Sequence, residues 1–380
     1  MQSLFDVTNK PLKQAINKGF GKVEWGKPNY EFLQQLQNNG AAFAARKTQH
    51  QVRELTKALY DEKGNLKTWS KFKADTQNTV KDYNQTWLHT EYNTAVRRAR
   101  IASIWRDTEE AELYVNMRWL PSRSANRREA HVLFYNRVFK RDNPIWNNGP
   151  GTLWNCKCGL EPTDDPAEDG GTPAAVKPAP GIDNNPGESG EIFTQSHPYY
   201  KSLTKAEEKA AAQLEKNNTF TTVEGDGGFL VHISKGQNKH EIKSNLAFAK
   251  RLVGIDKADI TLLGVINEPG AINYDCIRHA FNEQWELKVP RGNNMQSAIQ
   301  HELRGTKKHR FAFELTAEHN IRQIFKGIET TFISHKNRAK TIQKLDFLLP
   351  SGRLLRFVRK DFDSRISLLN AFKSQMAVKN

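Results

Sequence analysis

Asp275, Glu286 and Lys288 carry the chemistry most easily read from this chain. They lie in Asn273-Tyr-Asp-Cys-Ile-Arg278, then His279-Ala-Phe-Asn282, then Glu283-Gln-Trp-Glu-Leu-Lys288, and both arms alternate at the strand period of two. With the turn centred on Ala280-Phe281, Asp275 stands opposite Glu286 and Lys288 follows on the same face. Tyr274, Cys276, Trp285 and Leu287 fall on the other face and form a core-facing set. Opposed carboxylates repel, so such a pair calls for a metal, a shared proton or a neighbouring cation, and Lys288 is such a cation. The same letters also suit the solvated face of an edge hairpin.

Two cleavage chemistries fit these residues. Asp followed on the next strand by Glu-x-Lys is similar to the core spacing of PD-(D/E)xK nucleases. There Asp275 and Glu286 would hold Mg2+, and Lys288 would orient the attacking water. The other chemistry needs no cofactor or metal, because RNA supplies its own 2′-hydroxyl nucleophile. Glu286 or His301 would be its base, and Lys288, Arg291, Lys307 and Lys308 would stabilise the phosphorane charge. His279, at the turn, and His309, at a strand start, read as surface residues.

The elements that must position these residues follow from periodicity. Downstream of residue 190 the spacing predicts helices at 202–216, 239–254, 294–304 and 318–328. It predicts strands at 218–223, 228–232, 259–266, 273–278, 283–288 and 309–315, with a last hairpin around Pro350-Ser-Gly352. Upstream, 29–60 and 68–105 have helical spacing, with Asp61-Glu-Lys-Gly64-Asn as the turn between them. In the second stretch Tyr92, Ala95, Val96, Ala99 and Ala102 form one stripe, and Arg97, Arg98 and Arg100 lie off it. After Pro121 the chain is irregular, aromatic and arginine-rich. Residues 161–190 hold six of the fifteen prolines and are acidic within a basic chain, which predicts an extended, solvated tether. The expected layout is therefore multi-domain: a mainly α domain over 1–160, a linker over 161–190, and an α+β domain with a central sheet over 191–380.

At 380 residues the chain suits two or three domains, and its net charge of +15 favours a polyanionic partner such as nucleic acid. The 37% apolar and 10% aromatic content is enough for real cores, so global disorder is excluded. No apolar run reaches the length of a membrane span, and the first residues lack the order of a secretory signal. Three cysteines, two of them in Cys156-Lys-Cys158, fit a reducing cytosol. His131 with these two cysteines offers three metal ligands where a closed zinc site needs four, so a metal-free fold-back is the expectation.

The run Arg127-Arg-Glu-Ala-His131, then Pro144-Ile-Trp146, then Gly149-Pro-Gly-Thr-Leu-Trp154-Asn-Cys156-Lys-Cys158 resembles the C-terminal end of phage Mu F-like minor head proteins. Lys157 stands where that family usually has Arg. The resemblance covers roughly residues 40–160 and implies a virion component with portal or capsid partners. The arginines would then contact DNA phosphates or simply coat a soluble helical face.

Trp285-Glu-Leu-Lys288-Val-Pro290, the loop Arg291-Gly-Asn293-Asn294, Gln296, His301 and the strand from Thr306 resemble the tRNase toxin domains at the C-termini of CdiA-type contact-inhibition proteins. These are often grouped with the barnase/EndoU/colicin/RelE nucleases, and such domains occur as tails on Mu F-like head proteins. The resemblance covers roughly 200–335 and makes the 246–252 stretch a packing helix. It implies an RNA endonuclease acting on RNA such as tRNA, with a cognate immunity protein, and it favours the metal-free route, with the Mg2+-dependent PD-(D/E)xK route as the alternative. Asp275, Glu286, Lys288 and His301 would be catalytic, and Arg291, Asn293, Asn294, Gln296, Lys307 and Lys308 would bind substrate. The expected whole is a prophage-type minor head protein carrying a toxin, virion-associated and cytoplasmic during synthesis. The rival is a structural capsid protein whose C-terminal domain binds nucleic acid without cutting it.

Overall fold

The computed structural model describes residues 1–111, 116–168, 177–267, 270–290, 294–315, 321–334 and 341–377. They form two compact units, Met1–Thr219 and Phe220–Asn380.

The first unit is mainly helical. It comprises α1 (Gln2–Phe20), α2 (Tyr30–Ala58), α3 (Trp69–Lys81), α4 (Trp87–Ala111), β1 (Asn116–Leu120), α5 (Glu129–Val132), β2 (Val138–Lys140), β3 (Gly159–Thr163), α6 (Pro186–Ser189), α7 (Pro198–Lys201) and α8 (Lys205–Asn218). Phe5, Leu12, Ile16, Leu36 and Phe43 bury the facing stripes of α1 and α2 against Ala95, Ala99 and Ala102 of α4. A Cβ on Gly19 would stand 2.1 Å from the carbonyl oxygen of Val96, so α1 meets α4 backbone to backbone. The strands form a small sheet ordered β2-β1-β3, antiparallel throughout. Trp119, Phe134, Phe139 and Trp146 fill its core.

Two expectations fail here. Arg98 lies off the apolar stripe in sequence, yet it is fully buried. Its guanidinium donates to the carbonyls of Ile192 (2.7 Å), Gly151 (3.1 Å) and Ile182 (3.2 Å) and to Asn184. Those bonds hold the chain from 181 to 192 against α4, so this part of the supposed tether is folded. Ile182, Pro186 and Gly187 are buried, and Asn185 caps α6 with Pro186 at its first position. Upstream, Glu161 lies within β3, and the acidic residues find arginines: Arg118 pairs with Glu161 and Asp165, Arg137 with Glu168. Of the expected tether, 169–176 lie outside the described residues. The boundary between units falls at Thr219/Phe220, well past residue 190. Proline content signalled irregular backbone correctly but could not reveal a buried donor waiting for its carbonyls.

The second unit comprises β4 (Phe220–Glu224), β5 (Leu230–Ser234), α9 (Ile242–Asp256), β6 (Ile260–Leu262), β7 (Cys276–Arg278), β8 (Glu283–Lys288), α10 (Met295–Leu303), β9 (Arg310–Glu314), α11 (Ile321–Ile328), β10 (Lys344–Leu348), β11 (Leu354–Val358) and α12 (Arg365–Ala377). These strands make one sheet in the order β11-β10-β9-β8-β7-β6-β5-β4. β5–β6, β8–β9 and β9–β10 are parallel pairs, and the remaining neighbours run antiparallel. Helices α9, α10 and α11 supply the three parallel crossovers, the long connections that parallel neighbours require.

Side-chain alternation sends the strands into two cores. Cys276, Trp285, Leu287, Ala312 and Leu348 pack with Phe248, Leu252 and Val253 of α9. Phe311, Phe313, Leu345, Phe347 and Phe357 pack on the other face with Met295, Ile299 and Leu303 of α10 and Ile324 of α11. The α9 face also buries charge. Arg278 is fully buried between Asp256, at 2.7 Å, and Asp346, at 2.6 Å, while Arg356 reaches both carboxylates from the rim. The guanidinium of Arg278 stands 4.4 Å from the Trp285 ring centroid and that of Arg356 4.8 Å from Phe281, so the network is capped by aromatic faces.

Candidate active site

The hairpin has the register read from the sequence. Cys276 pairs with Trp285, Ile277 with Gln284 and Arg278 with Glu283, which places Asp275 opposite Glu286. Residues 279–282 close the turn, with Asn282 in the left-handed conformation at φ 54°. Asp275 precedes the ladder of β7 but stays tied to it. Its N–H donates to the Trp285 carbonyl at 3.1 Å, and its Oδ2 accepts from Leu287 N–H at 2.8 Å. The Leu263 N–H and the Gln237 side chain both donate to its carbonyl, at 2.8 and 3.2 Å. The main chain of Asp275 is thus fixed from both sides, and the Leu287 N–H fixes its carboxylate.

Glu286 and Lys288 sit on the α10 face of β8. The alternative of a solvated edge face does not hold for Glu286, which is only 5% exposed because α10 and the start of β9 close over that side of the sheet. Lys288 Nζ lies 2.9 Å from Glu286 Oε1 and 3.5 Å from Glu302 Oε2, and the Lys308 ammonium pairs with the other oxygen of Glu286. Burial, and then the Glu286 carboxylate, push the Asp275 carboxyl up to about 7 against the opposing pull of the Leu287 N–H, Lys288 and Lys308. Burial pulls Lys288 down, but Glu286, Glu302 and Asp275 outweigh it and hold the ammonium above the ordinary lysine value. Lys288 therefore acts as a fixed positive charge.

The other predicted residues separate into three groups. Lys308 joins the cluster through Glu286. His301 does not: its side chain is 85% exposed on α10, and its recorded contact is Glu302 Oε1 at 3.5 Å. Lys307 is also exposed. Asn294 caps α10, its side chain accepting from Ser297 N–H at 3.0 Å, and Gln296 is half-buried in the first turn where α10 packs on α11. Arg291 and Asn293 lie outside the described residues. Of the two histidines expected at the surface, His279 is exposed and bonds Thr261, and His309 is half-buried at the rim, where its backbone N–H donates to the Tyr274 hydroxyl and its ring reaches the Thr341 carbonyl.

Glu302 is the residue that sequence reading missed. The buried stripe of α10 is Met295, Ile299 and Leu303, and Glu302 flanks it next to the sheet, while His301 projects to the opposite side. That period was available in the sequence.

The carboxylates of this site are Asp275 and Glu286, with Glu302 beyond Lys288. In the first unit, His131, Cys156 and Cys158 form a separate group with soft ligands. No helix among the described residues is long and apolar enough to cross a membrane. No protein-family model, curated protein or solved structure matches this chain.

Proposed function

We propose that the second unit is a nuclease that hydrolyses phosphodiester bonds with a divalent metal held by Asp275 and Glu286. One observation supports this above the others. Two carboxylates share one partly buried face of adjacent strands, where the fold had every opportunity to place apolar residues, and the two neighbouring ammoniums leave Asp275 still reluctant to ionise. A hard, oxygen-seeking ion such as Mg2+ or Mn2+ suits two carboxylates, and it would share Glu286 with the Lys288 and Lys308 ammoniums that hold both of its oxygens. When bound, it would polarise the phosphate and lower the pKa of an attacking water.

The chain's own groups have definite tasks. Lys288 cannot serve as a base, since its neighbours hold its proton; it neutralises charge developing on the phosphoryl oxygens. Lys308 and Lys288 together keep Glu286 oriented. Glu302 holds Lys288 from the side of α10. The net charge of +15 favours attraction of a nucleic acid in general. RNA, with tRNA as the type substrate, is the choice that the likeness to CdiA-type toxins supports.

The metal-free route keeps one supporting observation. A carboxyl poised at about 7 is matched to deprotonating a 2′-hydroxyl near neutral pH, so Asp275 replaces His301 as the base on that route. The first unit, on its likeness to Mu F-like head proteins, would carry the enzyme into a virion through portal or capsid contacts, and an immunity protein would protect the producing cell.

The deciding experiment incubates the full chain with tRNA, and with an RNA and its 2′-deoxy counterpart, across a Mg2+ and Mn2+ series. Metal-dependent cleavage that is lost in Glu286→Ala supports the proposal. Metal-independent cleavage of RNA alone, yielding a 2′,3′-cyclic phosphate, transfers the assignment to the metal-free route. Tight binding without cleavage of any substrate leaves a nucleic-acid-binding module and refutes both.

A further inference from the structure

The first unit gathers three soft-metal ligands in one buried place. His131 comes from α5, and Cys156 and Cys158 from the segment entering β3; all three are buried. Their ligand atoms lie within 4.8 Å of one another. Nδ1 of His131 is 3.6 Å from Sγ of Cys156 and 3.4 Å from Sγ of Cys158. Bond lengths of about 2.3 Å to sulfur and about 2.0 Å to nitrogen at tetrahedral angles put the two donors about 3.5 Å apart. The two nitrogen–sulfur spacings match the edges of such a tetrahedron. Nε2 of the same ring is buried without a hydrogen-bond partner, so the polar contacts of this imidazole converge on the two sulfurs.

The surroundings hold the ligands in place. Asn155, left-handed at φ 58°, turns the chain just before Cys156, and its N–H is anchored on Thr94 Oγ1 of α4 at 3.1 Å. The Trp119 ring packs edge-on to His131 at 5.4 Å. Both cysteines are free thiols. One side of the cluster opens into a cavity of about 590 Å³ lined by His89, Arg127, Arg128 and Lys157 among others, with no carboxylate among its described lining residues.

We infer that His131, Cys156 and Cys158 bind one zinc-like divalent ion and leave its fourth position open to this cavity. Counting ligands in the sequence favours a metal-free fold-back, because three fall short of a closed site. The cavity removes that objection, since a three-ligand site with an open position is itself a recognised zinc arrangement. Two thiolates balance the charge of the ion, so the site adds no positive charge to a wall that already carries Arg127, Arg128 and Lys157. Thiolate and imidazole donors select zinc over magnesium, so this site is chemically distinct from the carboxylates of the second unit and does not depend on the nuclease reading.

The test uses the full chain, purified under reducing conditions, with metal content measured and Co2+ then exchanged in. One equivalent of tightly held metal is expected at the thiolate site, with a sulfur-to-cobalt charge-transfer band and strong visible bands. His131→Cys should keep the ion with a spectrum shifted toward a third thiolate. Cys156→Ser and Cys158→Ser should each weaken binding at least tenfold, and Glu286→Ala should leave the bands unchanged. Should the serine variants fail to fold, alkylation of the native chain decides. Zinc must slow modification of Cys156 and Cys158, mapped by mass spectrometry, and leave Cys276 unaffected. Equal rates with and without zinc, no uptake of either metal, or cobalt bands that survive both serine substitutions would overturn the inference.

Discussion

Replacing Asp275 with Asn tests the electrostatics of the candidate site without touching its shape. Burial and the facing Glu286 carboxylate push the Asp275 carboxyl from its ordinary 3.8 to about 7. A folded-state pKa above the unfolded one means that folding favours the protonated form. Its contribution is fully present below about pH 4 and is lost as pH rises through about 7. At pH 8 the folded wild type must hold a carboxylate that its surroundings disfavour. The gap from 3.8 to about 7 corresponds to roughly 4 kcal/mol, and partial exposure of the residue reduces this to about 2–3 kcal/mol.

Asn keeps an oxygen to accept the Leu287 N–H, so the local geometry survives. The variant should match the wild type near pH 4 and exceed it by about 2–3 kcal/mol at pH 8. Urea denaturation of both full-length proteins, run in parallel from pH 4 to 8 and taken as a difference, cancels the contribution of the first unit. Adding Mg2+ at pH 8 should stabilise the wild type and leave Asp275→Asn unmoved. A difference that stays flat across this range would show that Asp275 does not titrate there, and the argument for a charge-loaded site would go with it.

Other substitutions separate the chemistry from the scaffold. Lys288→Ala and Glu286→Ala should each abolish cleavage, whereas His301→Ala, which removes an exposed side chain, should leave the rate within about twofold of wild type in the tRNA assay. Glu286→Ala should also cost about 1–3 kcal/mol in urea melts, because Lys288 and Lys308 lose their shared partner. Trp285→Ala should cost roughly 3–5 kcal/mol by opening the core beneath α9. Arg278→Ala should cost about 3–5 kcal/mol by stranding Asp256 and Asp346, and Arg356→Ala, at the exposed rim, clearly less; equal losses in thermal melts would refute the assignment of Arg278 as the centre of the network.

The hairpin was legible because its information is local. Period-two alternation and a four-residue turn are enough to set the Asp275–Glu286 register, and a slip by one would have sent Trp285 to the polar face. The crossover helices were legible for the same reason, their stripes repeating at the helical period. Burial of Glu286 was not, since what covers it is α10 and Lys308, which arrive through a parallel crossover. Exclusion of His301 was readable in principle: a stripe of Met295, Ile299 and Leu303 points residue 301 away from the sheet.

Buried charge marks the limit of such reading. Arg98 and Arg278 look like solvated residues in sequence, because an arginine ordinarily stays at the surface. Each is buried for a reason that is distributed over the chain. Arg98 finds carbonyls 53 to 94 residues away, and Arg278 finds Asp256 and Asp346 at separations of 22 and 68. No local pattern encodes those partners. What the sequence does encode is a mismatch in each case. Arg98 stands in a helix near Ala95, Ala99 and Ala102, and Arg278 occupies a strand position in step with Cys276, on the face that receives Trp285. A charged residue beside a core stripe, or in phase with one, that packing covers must be buried with partners or break the element. Both arginines take the first course, and the supposed tether around 181–192 is ordered because it supplies the partners of one of them.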